Sequence, residues 1–442
     1  MMTGRNTTIL LSAFVVLASS SAVFANGFIL NDHGAKATGR ADAVTASVED
    51  GSSVVYNPGG LAVRDGVNIY IGTSLVFPQS SFTYDQTGET TNAQTSVGVT
   101  PTLFAHAKLG FANPSLDGVF SVGLGVHAPF GSKLAWGADS PGAEENRLTN
   151  LRALFVTPAV GVDLQKWVPG LSIGGGLDVV PASVELNRDV FFGDVRGSAN
   201  LGGKGVGLGG RIGALYRSPN LPVSLGVAYR SQVDLEMKGS GDFDAPAPFR
   251  SRLPADGDIS ASASLPASFL AGIAVRPLAN LEVEANLQWM EWSTFETIAL
   301  VLPDEQDLDL ERGYQDTMTW RFGAEYSFPT VGADIRGGYA YDPSPIPAER
   351  LSVSLPDINR HVVSGGASFD LPSSWLGSSL QDFYVDVGVL YVIPGTRRTS
   401  DEPFEPQLKG EFGVSALVTS LSLGARFGKG ATQTTPRFAA AE

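Results

Sequence analysis

Apolar residues recur at every second position along most of this chain. Met318, Trp320, Phe322, Ala324, Tyr326 and Phe328 alternate with Thr317, Thr319, Arg321, Gly323, Glu325 and Ser327. Leu281, Val283, Ala285, Leu287 and Trp289 alternate with Glu282, Glu284, Asn286 and Gln288, and Phe383, Val385, Val387, Val389 and Tyr391 with Asp386 and Gly388. A period of two marks a strand with one apolar face and one small or polar face. About fourteen such segments are predicted, at 67–77, 97–109, 118–130, 151–165, 170–188, 204–217, 221–237, 258–276, 280–300, 316–328, 331–342, 359–370, 382–395 and 409–427.

The connections between them fall into two kinds. The first and every second one after it are long and polar: 78–96, 131–150, 189–203, 238–257, 301–315, 343–358 and 396–408. Most of the others are short, at 166–169, 218–220, 277–279 and 329–330, with 110–117 and 371–381 somewhat longer. Long loops at one end, short turns at the other and an even strand number predict an all-β fold. The expectation is a fourteen-stranded antiparallel transmembrane β-barrel of the bacterial outer membrane. Closure also removes every free sheet edge, which lipid could not hydrogen-bond. Trp167, Phe328, Tyr341, Trp375 and Phe427 fall near strand ends, where an interfacial aromatic girdle belongs.

The N-terminus reads differently. Arg5, an apolar run from Ile9 to Ala18 and small residues ending at Ala25 predict a signal peptide over 1–25. The run is too short for a helix across a bilayer core of roughly 30 Å. Residues 26–66 mix small residues, charges and short apolar pieces, and fit no strand. Such a piece is too small to fold alone. Ahead of a barrel it is expected to fold back into the lumen as a plug, or hatch. Residues 67–427 then form the barrel and 428–442 a polar C-terminal extension, with both termini periplasmic.

Composition removes several function classes. With 45 acidic against 30 basic residues and a net charge of −15, nucleic acid is excluded as a partner. Without cysteine there is no disulfide framework, thiolate metal site or thiol nucleophile, and four histidines make a His-built metal centre a poor expectation. No cofactor is implied. The glycine-rich run Gly202–Gly210 ends in no Gly-Lys-Ser/Thr, so glycines of a strand facing a crowded lumen explain it better than a phosphate loop. No Ser-His-Asp order with an elbow motif appears, so no enzyme is predicted. Acid collects in the long loops, at Glu144, Glu145, Asp304, Glu305 and Asp401 among others. Solvation is its ordinary explanation, and divalent-ion contact with lipopolysaccharide the sharper one.

Particular motifs narrow this further. Gly27-Phe28, Gly39-Arg40-Ala41 and Tyr56-Asn57-Pro58 follow one another in the N-terminal segment. Ala128-Pro129-Phe130-Gly131, the stretch from Trp289 to Phe295, Tyr341-Asp342-Pro343-Ser344-Pro345 and Pro356-Asp357-Ile358-Asn359-Arg360 come later. In this order, over 26–427, the chain resembles the FadL-type outer-membrane transporters of long-chain fatty acids and aromatic hydrocarbons. It departs from them at Gly59, where the family usually has Ala, and in the polar tail after Phe427. The resemblance implies a fourteen-stranded barrel closed by an N-terminal hatch. It also implies passive transport: capture near the extracellular loops, binding in an internal pocket, hatch movement and lateral release. The partners implied are hydrophobic small molecules, outer-membrane lipid and lipopolysaccharide, with the chain acting as a monomer.

Two groups of residues are candidates for that route. The turn Asn57-Pro58-Gly59 is the expected gate, because Pro fixes its own φ and Asn hydrogen-bonds nearby backbone. A fatty acid needs a cation for its carboxylate, and Arg230, Arg321, Arg360 and Arg211 are the candidates. Alternation puts them, with Arg276 and Arg336, on lumen-facing positions, Arg230, Arg321 and Arg360 nearer the extracellular half. The ordinary explanation of each is pairing with lumenal Glu282, Glu284, Glu325, Asp163, Asp178 or Asp386. His106 and His127 also face the lumen but sit on separate strands. The arginines favour an acid as substrate. Aromatic or alkane hydrocarbons are the alternative, and a lipolytic enzyme or general porin is less supported.

Overall fold

The computed structural model describes residues 33–110, 113, 115–303, 307–372, 380–401 and 408–428. The expected signal peptide, the first residues of the expected hatch, Trp375 and the tail beyond 428 lie outside the described residues.

Fourteen antiparallel strands form one closed barrel. They are β1 Val67–Tyr84, β2 Gly98–Lys108, β3 Phe120–Ala135, β4 Leu148–Asp163, β5 Leu171–Phe192 and β6 Val195–Arg217. Next come β7 (Val223–Arg230, continuing as Val233–Asp244), β8 (Gly257–Leu265 and Ser268–Leu278) and β9 (Leu281–Met290 and Thr297–Val301). The last are β10 (Asp307–Glu311 and Thr317–Phe328), β11 Ala333–Asp342, β12 Arg360–Asp370, β13 Leu380–Arg398 and β14 Gly410–Phe427. Closure is complete, since β1 pairs with β14 from Val67 opposite Phe427 to Tyr84 opposite Gly410.

One expected long loop is a strand hairpin instead. β5 and β6 stay paired to Phe192 opposite Val195, so Gly193-Asp194 alone makes the turn, with Gly193 at φ 72°. Phe191, Phe192 and Val195 on this projecting hairpin extend the β pattern through a stretch whose polarity had indicated a loop.

In the belt that meets lipid the side chains obey the expected alternation. Trp320, Phe322, Ile335, Val387, Leu421, Val227 and Ile273 point outward and are exposed, while Glu282, Glu284, Arg321, Glu325, Arg336 and Asp386 are buried inside. Toward the long-loop end this alternation inverts on three pieces of wall, on β7, its neighbour β8 and the more distant β3. On β7, Leu225, Val227 and Tyr229 face out, yet Val233, Leu235 and Met237 face in, and Asp234, Glu236 and Lys238 are exposed. The inversion falls at Ser231-Gln232, where β7 is interrupted, level with the Pro266-Ala267 interruption of β8. On β3 a bulge between His127 and Phe130 does the same, turning Phe130 and Leu134 inward. Beyond the lipid belt the outside is water, so apolar side chains lower the free energy by turning in.

Residues 33–66 lie against the inner faces of most strands. Helices α1 (Ala35–Thr38) and α2 (Ser53–Tyr56) and a 3-10 turn, Pro58–Ala62, are its regular parts. The fit is close because the facing strand residues are glycines. A β-carbon at Gly174 would stand 2.2 Å from the Pro58 carbonyl oxygen, at Gly338 2.3 Å from the Arg40 carbonyl carbon, and at Gly388 2.6 Å from the Ala35 carbonyl oxygen. Many of the chain's 52 glycines thus make room inside the barrel.

Candidate functional site

Two of the cavities lined by described residues have volumes of about 50 Å³ or more. The larger, at the long-loop end, has a volume of about 400 Å³. Its walls include the inverted parts of β7 and β8, through Leu235, Met237 and Leu265, together with Phe295, Leu300 and Ile346, and Arg188, Arg312, Arg350, Glu145 and Glu311 are among its polar residues. Connecting segments close over it. Trp136 donates from its indole to the Val353 carbonyl at 2.8 Å, tying the β3–β4 connection to the β11–β12 connection. Sequence reading missed these residues. Their only signal is the run Val233, Leu235, Met237, indistinguishable in period from the lipid-facing Leu225, Val227, Tyr229 before it.

The smaller cavity, of about 50 Å³, lies between residues 33–66 and the wall. Three of the four candidate arginines line it: Arg211, Arg230 and Arg321. His33, Asp42, Tyr56 and Pro58 come from the internal segment, and Pro129, Gln288 and Met290 from the strands. Arg360 is elsewhere, buried between Asp342 at 2.7 Å and Asp357 at 3.8 Å, where it braces the β11–β12 connection.

The three arginines differ in how they are satisfied. Arg211 is held by Asp178 at 2.8 Å and donates to the carbonyls of Val54 and Val55 at 3.1 and 3.2 Å. It therefore ties the internal segment to β6. Arg321 donates to Gln288 at 2.5 Å, and among the described residues no carboxylate comes within ion-pair distance of it. Arg230 lies over the rings of Phe130 and Phe155, at 4.8 and 5.7 Å from their centroids. Its Nη2 reaches the Pro266 carbonyl at 3.3 Å, its Nε has no partner, and again no described carboxylate pairs with it. Arg276 and Arg336 follow the ordinary explanation, pairing with Glu282 and with Glu325.

Asp42 faces this group from a strained piece of backbone. Ala41 and Asp42 have φ of 51° and 60°, a left-handed turn that costs an L-residue of order 1 kcal/mol. The turn lets Asp42 accept from the Tyr56 hydroxyl at 2.6 Å. Burial pushes its carboxyl up to about 6, against the pull of the Arg321 charge and of that hydrogen bond.

The expected gate is anchored to the wall. Asn57 accepts from the Gly59 amide at 3.1 Å and donates to the carbonyls of Thr45 at 2.9 Å and Ala214 at 3.0 Å. A β-carbon at Gly59 would stand 2.8 Å from the Leu215 amide nitrogen, so glycine at this position lets the turn touch β6. The β5–β6 ladder behind it is unbroken. A gap in pairing lies elsewhere in the wall: β3 pairs with β2 only from Leu103 to Lys108, although β2 continues along β1 to Gly98. Pro129, from the β3 bulge beside that gap, shares the small cavity with Pro58.

A closed barrel with an apolar outer belt, a charged lumen and a chain segment packed inside defines an outer-membrane barrel protein with an occupied lumen. The family described as outer membrane protein transport protein (OMPP1/FadL/TodX) matches residues 15–427, and the chain belongs to it. The long-chain fatty acid transport protein of Salmonella typhi is 24% identical over 90% of this chain and 94% of its own. Its Escherichia coli K12 counterpart is 23% identical over 90% and 95%. Among solved structures, a Pseudomonas aeruginosa FadL homologue superposes with a TM-score of 0.78 at 18% identity, covering 91% of this chain and all of its own. The Pseudomonas putida toluene transporter TodX does so with 0.71 at 19% identity, over the same shares. The protein is thus an outer-membrane β-barrel of the FadL/TodX family.

Proposed function

We propose that the protein carries long-chain fatty acids, or hydrophobic acids of similar shape, passively across the outer membrane. The observation that carries this reading is the pair Arg230 and Arg321: two guanidinium groups without a carboxylate partner among the described residues, on one cavity. A buried cation lacking a counter-ion is costly unless something else supplies the charge. A ligand carboxylate would supply it. The apolar tail, worth about 0.8 kcal/mol per methylene removed from water, would be held by apolar walls such as those of the larger cavity.

In this reading the ligand is captured at the long-loop end, moves to the arginine cavity and leaves sideways when residues 26–66, the hatch, shift. The β2–β3 pairing gap is the candidate exit. Asn57, Pro58 and Gly59 hold the hatch against β6, so their release is the gating step. The chain acts as a monomer with both termini periplasmic, contacts lipid and lipopolysaccharide, and needs no cofactor. Relatives are named as transport proteins, which supports a role without catalysis. Uptake of aromatic hydrocarbons is the second reading, favoured by the toluene transporters among the structural neighbours and the apolar walls of the larger cavity.

The test is binding of oleate and of toluene to the purified barrel and to its Arg230→Met, Arg321→Met double variant. Loss of a charge-assisted hydrogen bond, worth about 1.5–3 kcal/mol, should weaken oleate about ten- to a hundredfold. Toluene binding should not change. Equal oleate affinity in the two proteins would transfer the weight to the hydrocarbon reading.

A further inference from the structure

The outer face of the wall turns from apolar to polar on the way to the long loops, and the sign of the charge it meets there varies. On β6 the outward column reads Ile212, Leu208, Val206 and then Lys204. On β4 it reads Val160, Pro158, Val156, Leu154 and then Arg152. On β3 Lys133 is the first charged outward residue above the bulge. On β5, between β4 and β6, Ser183 follows Leu177, Val179 and Pro181, and Glu185 comes next. The first charge above the lipid belt is thus basic on three of these four neighbouring strands. It is acidic at Asp234 on β7 and at Glu411 on β14.

Strand pairing gathers the basic residues into one patch. Arg152 stands opposite Ser183, Ser183 opposite Lys204, and Lys204 opposite Lys238 of β7. With strands about 4.8 Å apart, Arg152 and Lys204 lie roughly 10 Å from each other along this row. Lys133 stands opposite Asn150 and so lies diagonal to Arg152, at about 7–8 Å. Among the described residues no carboxylate comes within ion-pair distance of any of the four. Arg152 uses its Nε alone, donating to Asn150 at 3.2 Å, and the same Asn150 donates to Glu185 at 3.4 Å. Lys204 and Lys238 form a directly opposed pair of like charge, which destabilises a sheet unless an anion neutralises it.

The position of the patch decides which anion fits. Water and salt screen a small anion at such an exposed surface, so it is held weakly. A phosphate carried by a lipid is already at this level, with its acyl chains against the apolar residues below. Of these, Val206 and Leu208 are 63% and 65% exposed. The cations fall into two groups, Lys133 with Arg152 and Lys204 with Lys238, which suits a head group bearing two phosphates. Asp234 and Glu236, outward on β7 below Lys238, bound the patch on that side.

We propose that Lys133, Arg152, Lys204 and Lys238 form a binding site on the outer face of β3–β7 for an outer-leaflet glycolipid with two phosphates on its head group. This gives residues to the lipopolysaccharide contact of the reading above, and it rests on the outer-membrane placement of the barrel, whatever its cargo. The inner faces of the same strands line the larger cavity at Leu151, Val184, Leu201 and Met237. A lipid held outside therefore braces the wall of that cavity.

The experiment is native mass spectrometry of the purified barrel with three lipids: lipid A bearing two phosphates, its dephosphorylated form and phosphatidylglycerol. The site variant is Lys133→Gln, Arg152→Gln, Lys204→Gln. The control, Lys166→Gln, Arg252→Gln, Lys409→Gln, removes the same charge from exposed positions elsewhere. The protein and the control should retain the two-phosphate lipid about tenfold more than the site variant does, and all three should retain the dephosphorylated lipid equally poorly. Lys133→Arg, Arg152→Lys, Lys204→Arg keeps the charge and should keep the binding. If the glutamine triple lacks the unheated-gel shift of a folded barrel, Arg152→Gln with Lys204→Gln is read in its place. Equal retention by the protein and its site variant would overturn the site. So would an equal loss in the control, or retention of phosphatidylglycerol as strong as that of the two-phosphate lipid. Each of these outcomes leaves the transport reading standing, since oleate binding at Arg230 and Arg321 decides that reading separately.

Discussion

Arg230, Arg321 and Asp42 show how much hangs on one missing partner. Each of the four candidate arginines sits on a lumen-facing strand position, and alternation ranks them equally. Asp178 neutralises Arg211, and Asp342 neutralises Arg360, through contacts between strands that no local pattern encodes. Asp42 competes with a ligand for the positive potential of Arg321. Its carboxyl, raised by burial to about 6, is above the ordinary value of about 3.9. Between those values the folded protein holds a proton that the unfolded chain has released, so stability falls as pH rises from about 4 to about 6 and is level beyond. Asp42→Asn keeps the left-handed backbone that Asn tolerates. It should abolish that slope in a denaturant titration over this pH range. The same variant should bind oleate more tightly above pH 6, and unchanged affinity there would show that Asp42 does not act on the ligand site.

At the scale of elements, the internal segment and the wall fit by mutual close approach. Gly213 leaves room for Asn57 and Pro58, since a β-carbon there would stand 2.3 Å from Asn57 Oδ1 and 2.8 Å from Pro58 Cδ. Gly213→Val should push the turn off β6 without touching the barrel ladder. The expected result is faster hydrogen exchange over 53–62 with an unaltered unheated-gel mobility. Asn57→Ala with Pro58→Ala should lower transport while leaving ligand capture at the long-loop end intact, because the anchors to Thr45 and Ala214 are lost. Full transport by that double variant would move the gate elsewhere. Sequence reading found this turn by its motif. It did not find the β-strand character of 189–203, where polarity outweighed alternation, because a hairpin that projects into water has no lipid to demand an apolar face.

For the whole molecule, the lipid belt sets the largest energies. A charge on its outer face near the bilayer midplane costs about 2–4 kcal/mol in such barrels. Phe322→Arg should therefore lower the unfolding free energy in lipid vesicles by that amount, whereas Glu236→Arg, outward on the inverted part of β7, should be close to neutral. A similar penalty at both positions would mean that the belt extends over the inverted strands. Removing residues 33–66 should raise conductance in planar bilayers, since that segment lies across the lumen. Unchanged conductance would assign the block to the connections tied at Trp136 and Val353.

The strand number, the closed antiparallel barrel, the polar lumen and the loop-rich end were all legible in the chain, because lipid imposes a period of two on every crossing segment and the solvent on each side fixes which parity is apolar. Leu225 through Met237 marks where that logic stops. Its apolar residues keep one parity throughout, yet the first three face lipid and the last three face a cavity. The sequence records only that alternate residues are apolar. Which side they face depends on the height at which lipid gives way to water and on the break at Ser231-Gln232, and both are set by how neighbouring strands pack. The same holds for Arg230 and Arg321: their positions come from local alternation, but that no described carboxylate comes within ion-pair distance of them is decided by how the strands and the internal segment pack around them.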